Sequence, residues 1–182
     1  MIAQMLAVDE RVTTYTTATD YSKTFAEEMH SLYLLAFMLT ANEDKAEECF
    51  VGALGECIDR SSMFMEWARS WGRRMIVKHA VRMIRPTPEE GANGLFISIK
   101  SAKTPGSGDP SAAVVSLSAF ERFVFVMSVL EGQSDEDCQS LLGRSQQELL
   151  MAREVALRFI AAANPGWEHA QAKEYTGPEL LN

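Results

Sequence analysis

The sequence predicts an all-α protein of two small helical modules joined by a long linker. Three observations carry that expectation. Apolar residues recur at three- and four-residue steps before and after the middle of the chain. Hydroxyl or amide residues repeatedly stand just ahead of acids at helix-start spacing. The stretch between, 86–116, is crowded with Pro86, Pro88, Gly91, Gly94, Pro105, Gly106, Gly108 and Pro110, which no continuous helix tolerates. With 182 residues, 47% hydrophobic and 23% charged, the chain is long enough for one domain or two small ones and too apolar for wholesale disorder.

Residues 1–21 read as a loosely ordered arm, carrying Thr13, Thr14, Thr16, Thr17 and Thr19 and few large apolar groups. The first module spans 22–85. Thr24-Phe25-Ala26-Glu27 has capping-box spacing, and Phe25, Met29, Leu32, Leu35, Ala36 and Leu39 form one apolar stripe. Asn42 is placed to cap the next helix, whose first turns hold Glu43, Asp44, Glu47 and Glu48, acids that suit its positive end. Its apolar positions are Ala46, Cys49, Phe50, Ala53, Leu54, Cys57 and Ile58. After Asp59-Arg60-Ser61-Ser62 a long helix is predicted from about Met63 to Arg85, where Pro86 stops it.

Residues 86–116 form the linker, severalfold longer than the usual ~4–6 residue connection. Leu95–Ile99 within it reads as a short extended segment with nothing to pair with. The second module spans 117–163. Ser118, Ser134 and Ser145 each precede Glu121, Asp137 and Glu148 by three residues, and Gly132 and Gly143 sit where left-handed helix ends are wanted. A short helix at about 134–142, a turn through Gly143 and a longer helix from Ser145 have helix-turn-helix spacing. The tail, 164–182, has Trp167 and Tyr175 as its large anchors. Such a linker leaves the modules free to move unless a partner or an interface locks them.

No run approaches the ~18–20 apolar residues of a membrane span, and residues 1–8 lack a basic leader, so no membrane association is expected. Cys49, Cys57 and Cys138 form no CxxC pair and no cluster with His30, His79 or His169; no metal and no cofactor are expected. Reduced thiols point to the cytoplasm, with Cys49 and Cys57 as small core residues. A nucleophile elbow, a P-loop, a dinucleotide fingerprint and an HExxH pair are all missing from the sequence, so neither catalysis nor a small-molecule substrate is expected.

The net charge of −8 is unevenly spread. Between 63 and 85, Arg69, Arg73, Arg74, Lys78, Arg82 and Arg85 face the single acid Glu66, and their spacing lays them over adjoining turns. A basic stripe of that kind can neutralise phosphates. Trp67, Trp71 and His79 on the same helix either stack on unpaired bases or pack inward, core packing being the expectation for Trp67. From 117 to 160 the balance is negative, four arginines against seven acids, which disfavours duplex DNA. Only Arg144 and Arg153 there are placed to meet DNA, and whichever of Leu149, Leu150 and Met151 is exposed suits a protein partner better than a base edge.

Taken in order, these residues resemble a bacterial extracytoplasmic-function (group IV) sigma factor, over roughly 22–85 and 114–160. Leu32–Asn42 is similar to that family's opening helix and its Leu-Thr-Gly-Asn ending, Ala46-Glu47-Glu48 to the start of its next helix, and Phe64, Trp67 and Arg73 to the one after. Leu117, Arg122, Val124, Phe125, Glu131-Gly132, Ser134, Glu136, Leu141-Leu142-Gly143 and Ser145 resemble its promoter-reading helix-turn-helix. The resemblance implies a region-2-like three-helix bundle and a region-4-like helix-turn-helix. It also implies transcription initiation with core RNA polymerase and promoter DNA as partners. Arg69, Arg73, Arg74, Lys78, His79, Arg82 and Arg85 would then meet the melted strand, and Arg144, Ser145, Gln146, Gln147 and Arg153 the duplex; Glu47, Glu48, Val51 and Gly52 would meet polymerase.

The departures favour a second expectation. The family's Gln-Glu pair that grips polymerase falls on Val51 and Gly52, and its Thr-Val-Lys-Ser-Arg reading run on Glu148-Leu149-Leu150-Met151-Ala152. The alternative is a degenerate sigma-mimic that binds an anti-sigma factor without reading a promoter.

Overall fold

In the computed structural model, residues 17–59, 67–88 and 110–163 are described, and among them every regular element is helical. Helix α1 covers Ala18–Glu27, α2 Met29–Thr40, α3 Glu43–Asp59 and α4 Ala68–Ile84. Further along the chain come α5 (Pro110–Val115), α6 (Ala119–Phe125) running directly into a π turn (Val126–Leu130), α7 (Asp135–Leu142) and α8 (Gln146–Ala163). The all-α expectation stands. Residues 1–16, 60–66, 89–109 and 164–182, with the proposed extended segment Leu95–Ile99, Phe64 and the tail anchors Trp167 and Tyr175, lie outside the described residues.

Helix α1 starts earlier than the sequence reading placed it. Thr17 and Asp20 form the capping box, Asp20 Oδ2 accepting from Thr17 N–H at 2.8 Å, while Thr24 is inside the helix. Residues 17–21, expected to belong to the arm, instead form the cap and first turn of α1, and Tyr21 is fully buried. The stripe from Phe25 to Leu39 is interrupted at Glu28, between α1 and α2, and this break leaves Met29 exposed. Asn42 caps α3 as expected, its Oδ1 accepting from Lys45 N–H at 2.9 Å. Ala46, Cys49, Ala53 and Cys57 line its buried face, and burial pushes the Cys49 and Cys57 thiols up to about 12. The described part of the long basic helix is α4, Trp67 forming a short turn before it; Arg85 closes it in a left-handed conformation just ahead of Pro86.

Helical structure begins inside the stretch 86–116 that the sequence reading assigned to the linker. Pro110–Val115 is helical, with Ala113 and Val114 buried, because an apolar pair one turn ahead of Leu117 can cover α8. Ser118 precedes α6 without a side-chain cap, whereas Ser134 and Ser145 cap α7 and α8, and Gly132 and Gly143 adopt positive φ of 61° and 64° as anticipated.

Helices α1–α4 pack as one group and α5–α8 as another, but a single apolar interior runs through both. Helix α2 is the bridge, lying against α5, α6 and the π turn, while α4 touches α7. At the bridge, Arg122 of α6 is 7% exposed, and its guanidinium donates to the carbonyls of Leu117 at 2.8 Å, Leu39 at 3.2 Å and Val115 at 3.3 Å. Leu39 belongs to the last turn of α2, whose carbonyls lack helical partners and carry partial negative charge. A buried cation is thus satisfied by backbone from both groups.

Candidate nucleic-acid interface

The basic helix α4 buries Ala68, Gly72, Met75, Ile76, Val77 and Ala80 against its neighbours, which turns its cations toward the rim of the bundle. There, each of those from Arg69 to Arg82 meets a carboxylate. Arg69 lies 3.9 Å from Glu27 and 3.5 Å from Glu28 on α1. Arg73 grips Glu131 with two hydrogen bonds, of 2.6 and 2.5 Å, and gives a third to Ser31 Oγ at 2.7 Å. Arg74 donates to Asp137 at 3.0 Å.

Lys78, His79 and Arg82 converge on one acid, Glu56 of α3, each at 2.9 Å. Since a carboxylate only accepts, His79 presents its Nε2–H to it. The Lys78 ammonium, helped by Arg82 and His79, holds the Glu56 carboxyl at about 2 against its partial burial. Gly52 makes this cluster possible. A Cβ at that position would stand 2.9 Å from His79 Nδ1 and 3.1 Å from Cε1, inside contact distance. Glycine at 52 therefore lets the imidazole lie across α3 and reach Glu56.

The sum over this face is near neutral. Six cations of α4 and its cap, Arg69 through Arg85, stand against Glu27, Glu28, Glu56, Glu131 and Asp137, leaving a surplus of one charge. Exposed pairs in this set contribute only ~0–1 kcal/mol each. Glu131 differs: its side chain is 9% exposed and its two bonds to Arg73 are charge-assisted, which also raises the Arg73 pKa. Trp67 departs from the core role expected of it and is 53% exposed; Trp71 packs partly against the core.

On α8 the nominated residues divide. Ser145 is the cap, giving its N–H and hydroxyl to Glu148 at 2.8 and 2.7 Å, while Gln146 and Gln147 are exposed in the first turn. Arg144 approaches Glu148 at 3.8 Å, and Arg153 is bonded to Asp135 and to Ser128 Oγ. Of the three apolar residues in the reading-helix position, Leu149 is buried, while Leu150 (49%) and Met151 (60%) face solvent. On α3, Glu47, Glu48 and Val51 share an exposed side, and Gly52 faces His79.

Sequence reasoning missed the acids rather than the bases. Glu56 was not singled out, and Glu131 and Asp137 were read only as part of the second module, as a motif residue and a helix-start acid that add to its negative charge, not as partners of α4. A signal existed for Glu56: a lone acid among Ala53, Leu54 and Cys57, one turn after Gly52 on the side facing α4. The other two partners are 58 and 63 residues from their arginines, beyond what local spacing reveals.

Among the described residues no cluster of His, Cys, Asp or Glu is arranged to hold a metal ion, and no helix is long and apolar enough to cross a membrane. Compared with protein-family models, curated proteins and solved structures, the chain matches none.

Proposed function

We propose that this chain is a sigma-like regulatory protein that acts through protein contacts, occupying an anti-sigma factor in place of a true sigma. One observation carries the reading: along α4, the cations from Arg69 to Arg82 that would meet a melted promoter strand are paired with the protein's own carboxylates. Phosphate contacts supply most of the affinity for nucleic acid, so a face with one surplus charge has little to offer it. The exposed Leu150 and Met151 on α8 fit the same reading, since apolar side chains at a reading surface suit a protein groove better than base edges. The test is a competition. The purified chain should displace a group IV sigma factor from a small helical anti-sigma protein, and should bind neither core RNA polymerase nor a fork-junction promoter at low salt. Tight, salt-dependent promoter binding together with core polymerase would overturn it.

The second reading, transcription initiation on core RNA polymerase and promoter DNA, is favoured by a different observation. Arg69, Arg74 and Arg82 keep roughly half or more of their side-chain surface in solvent, beside the exposed Trp67. Pairs so exposed are weak enough for phosphate to compete with.

A further inference from the structure

Three of the carboxylates that neutralise α4 come from its own group of helices, Glu27 and Glu28 on α1 and Glu56 on α3. The other two, Glu131 and Asp137, come from the second group. We propose that the Arg73–Glu131 and Arg74–Asp137 pairs are an electrostatic latch between the two groups, which closed masks the basic helix and open releases it to bind single-stranded nucleic acid.

The local chain is built to present these acids. The π turn widens the end of α6, Glu131 N–H bonding back to Val126, and Gly132 then turns the chain in a left-handed conformation. That places Glu131 under Arg73 and starts α7 with Asp137 under Arg74. Hydrogen bonds to Ser134 and Arg74 hold the Asp137 carboxyl below its usual range.

The joint beneath the latch is poorly made. A cleft of about 330 Å³ beside the latch is lined by Trp67, Ser70, Trp71, Arg73 and Arg74 from the first group and by Glu131 and Gln133 from the second. Trp71 Nε1 and Gln133 Oε1, both of residues lining that cleft, are shielded from solvent without a hydrogen-bond partner. A buried polar group left without a partner is destabilising, and opening the joint returns both to water. The contact between α4 and α7 thus depends on its charges, in contrast to the apolar bridge through α2, α5 and α6 about which the groups would pivot.

Opening changes the surface. With Glu131 and Asp137 withdrawn, the six cations face three carboxylates, and the surplus rises from one to three. Trp67 and Trp71 then border freed guanidinium groups, an arrangement suited to bases and phosphates together. The closed form is the one the proposed function uses; the open form restores the second reading.

The experiment uses the full chain carrying Glu131→Gln and Asp137→Asn. Spin labels on Ser70→Cys and Ser140→Cys report the α4–α7 distance, the three native cysteines being buried. A labelled oligothymidine reports the salt dependence of strand binding. The latch predicts a longer, broader distance in the double variant and a log K against log salt slope steeper by about 1.4, from two further phosphate contacts at ~0.7 each. The charge-swapped pair Arg73→Glu with Glu131→Arg should stay at the wild-type distance. An unchanged distance overturns the latch even if the slope steepens, since lost negative charge alone would then explain it. A longer distance without a steeper slope overturns the release of a strand-binding face. Either failure leaves the anti-sigma competition, and hence the proposed function, to stand or fall on its own result.

Discussion

Gly52 of α3 and His79 of α4 meet with no room for a Cβ between them: one built on Gly52 would fall 2.9 Å from His79 Nδ1. Substituting Gly52→Ala should therefore push the imidazole away from Glu56 and destabilise the fold by about 1–2 kcal/mol, although alanine is the better helix former. In an His79→Ala background the same change should become neutral or stabilising by up to about 1 kcal/mol. Denaturant melts of the four proteins in that cycle read the coupling. Equal effects of Gly52→Ala in both backgrounds would show that the helices do not rely on the contact.

Glu56 carries the pH dependence of the same cluster. Its carboxyl is held at about 2 in the folded protein, chiefly by the Lys78 ammonium, against an ordinary value of 4.5. The depressed folded value means that its stabilisation is fully present above about 4.5 and is lost as pH falls toward about 2. Glu56→Gln should cost about 2 kcal/mol at neutral pH, as charged hydrogen bonds are replaced by neutral ones. The difference between wild type and variant should shrink through that acid window. A difference that stays constant from neutral pH to about 2 would mean that Glu56 contributes no charge-dependent stability.

Much of the fold was legible because its signals are local. Asn42, Ser134, Ser145, Gly132 and Gly143 act on backbone within four residues, and each does what its position in the sequence implies. The start of α1 at Thr17 was hidden in a threonine-rich run, where Thr17 and Asp20 make the box and Thr24 and Glu27 only share its spacing. Cations on α4 were equally legible as a stripe. What spacing along one helix does not reveal is which acids fold back onto it, and those acids decide the charge of the surface. The bridge between the two groups was obscured for the same reason: Arg122 meets Leu39 across 83 residues.

Arg122 should be the most sensitive polar position at that bridge. Arg122→Met removes the donors for Leu39, Val115 and Leu117 and leaves buried carbonyls unpaired, a loss of at least about 2 kcal/mol. Arg122→Lys should recover less than half, because one ammonium does not reproduce the planar fork. Thermal unfolding checks both. A methionine variant as stable as wild type would show that the apolar contacts alone hold the groups together.

Leu150 and Met151 should separate folding from partner binding. Replacing both with Glu should change stability by no more than about 0.5 kcal/mol, since neither is buried. The same variant should fail to displace a sigma factor from its anti-sigma protein. Undiminished competition would remove this face from the interaction.

The central claim is that α4 is neutralised by its own protein, and the salt dependence of wild-type binding to a single-stranded oligonucleotide measures it directly. With one surplus charge on that face, log K against log salt should slope at about −0.7, and binding should be weak. A slope near −4, as six free cations would give, would contradict the account.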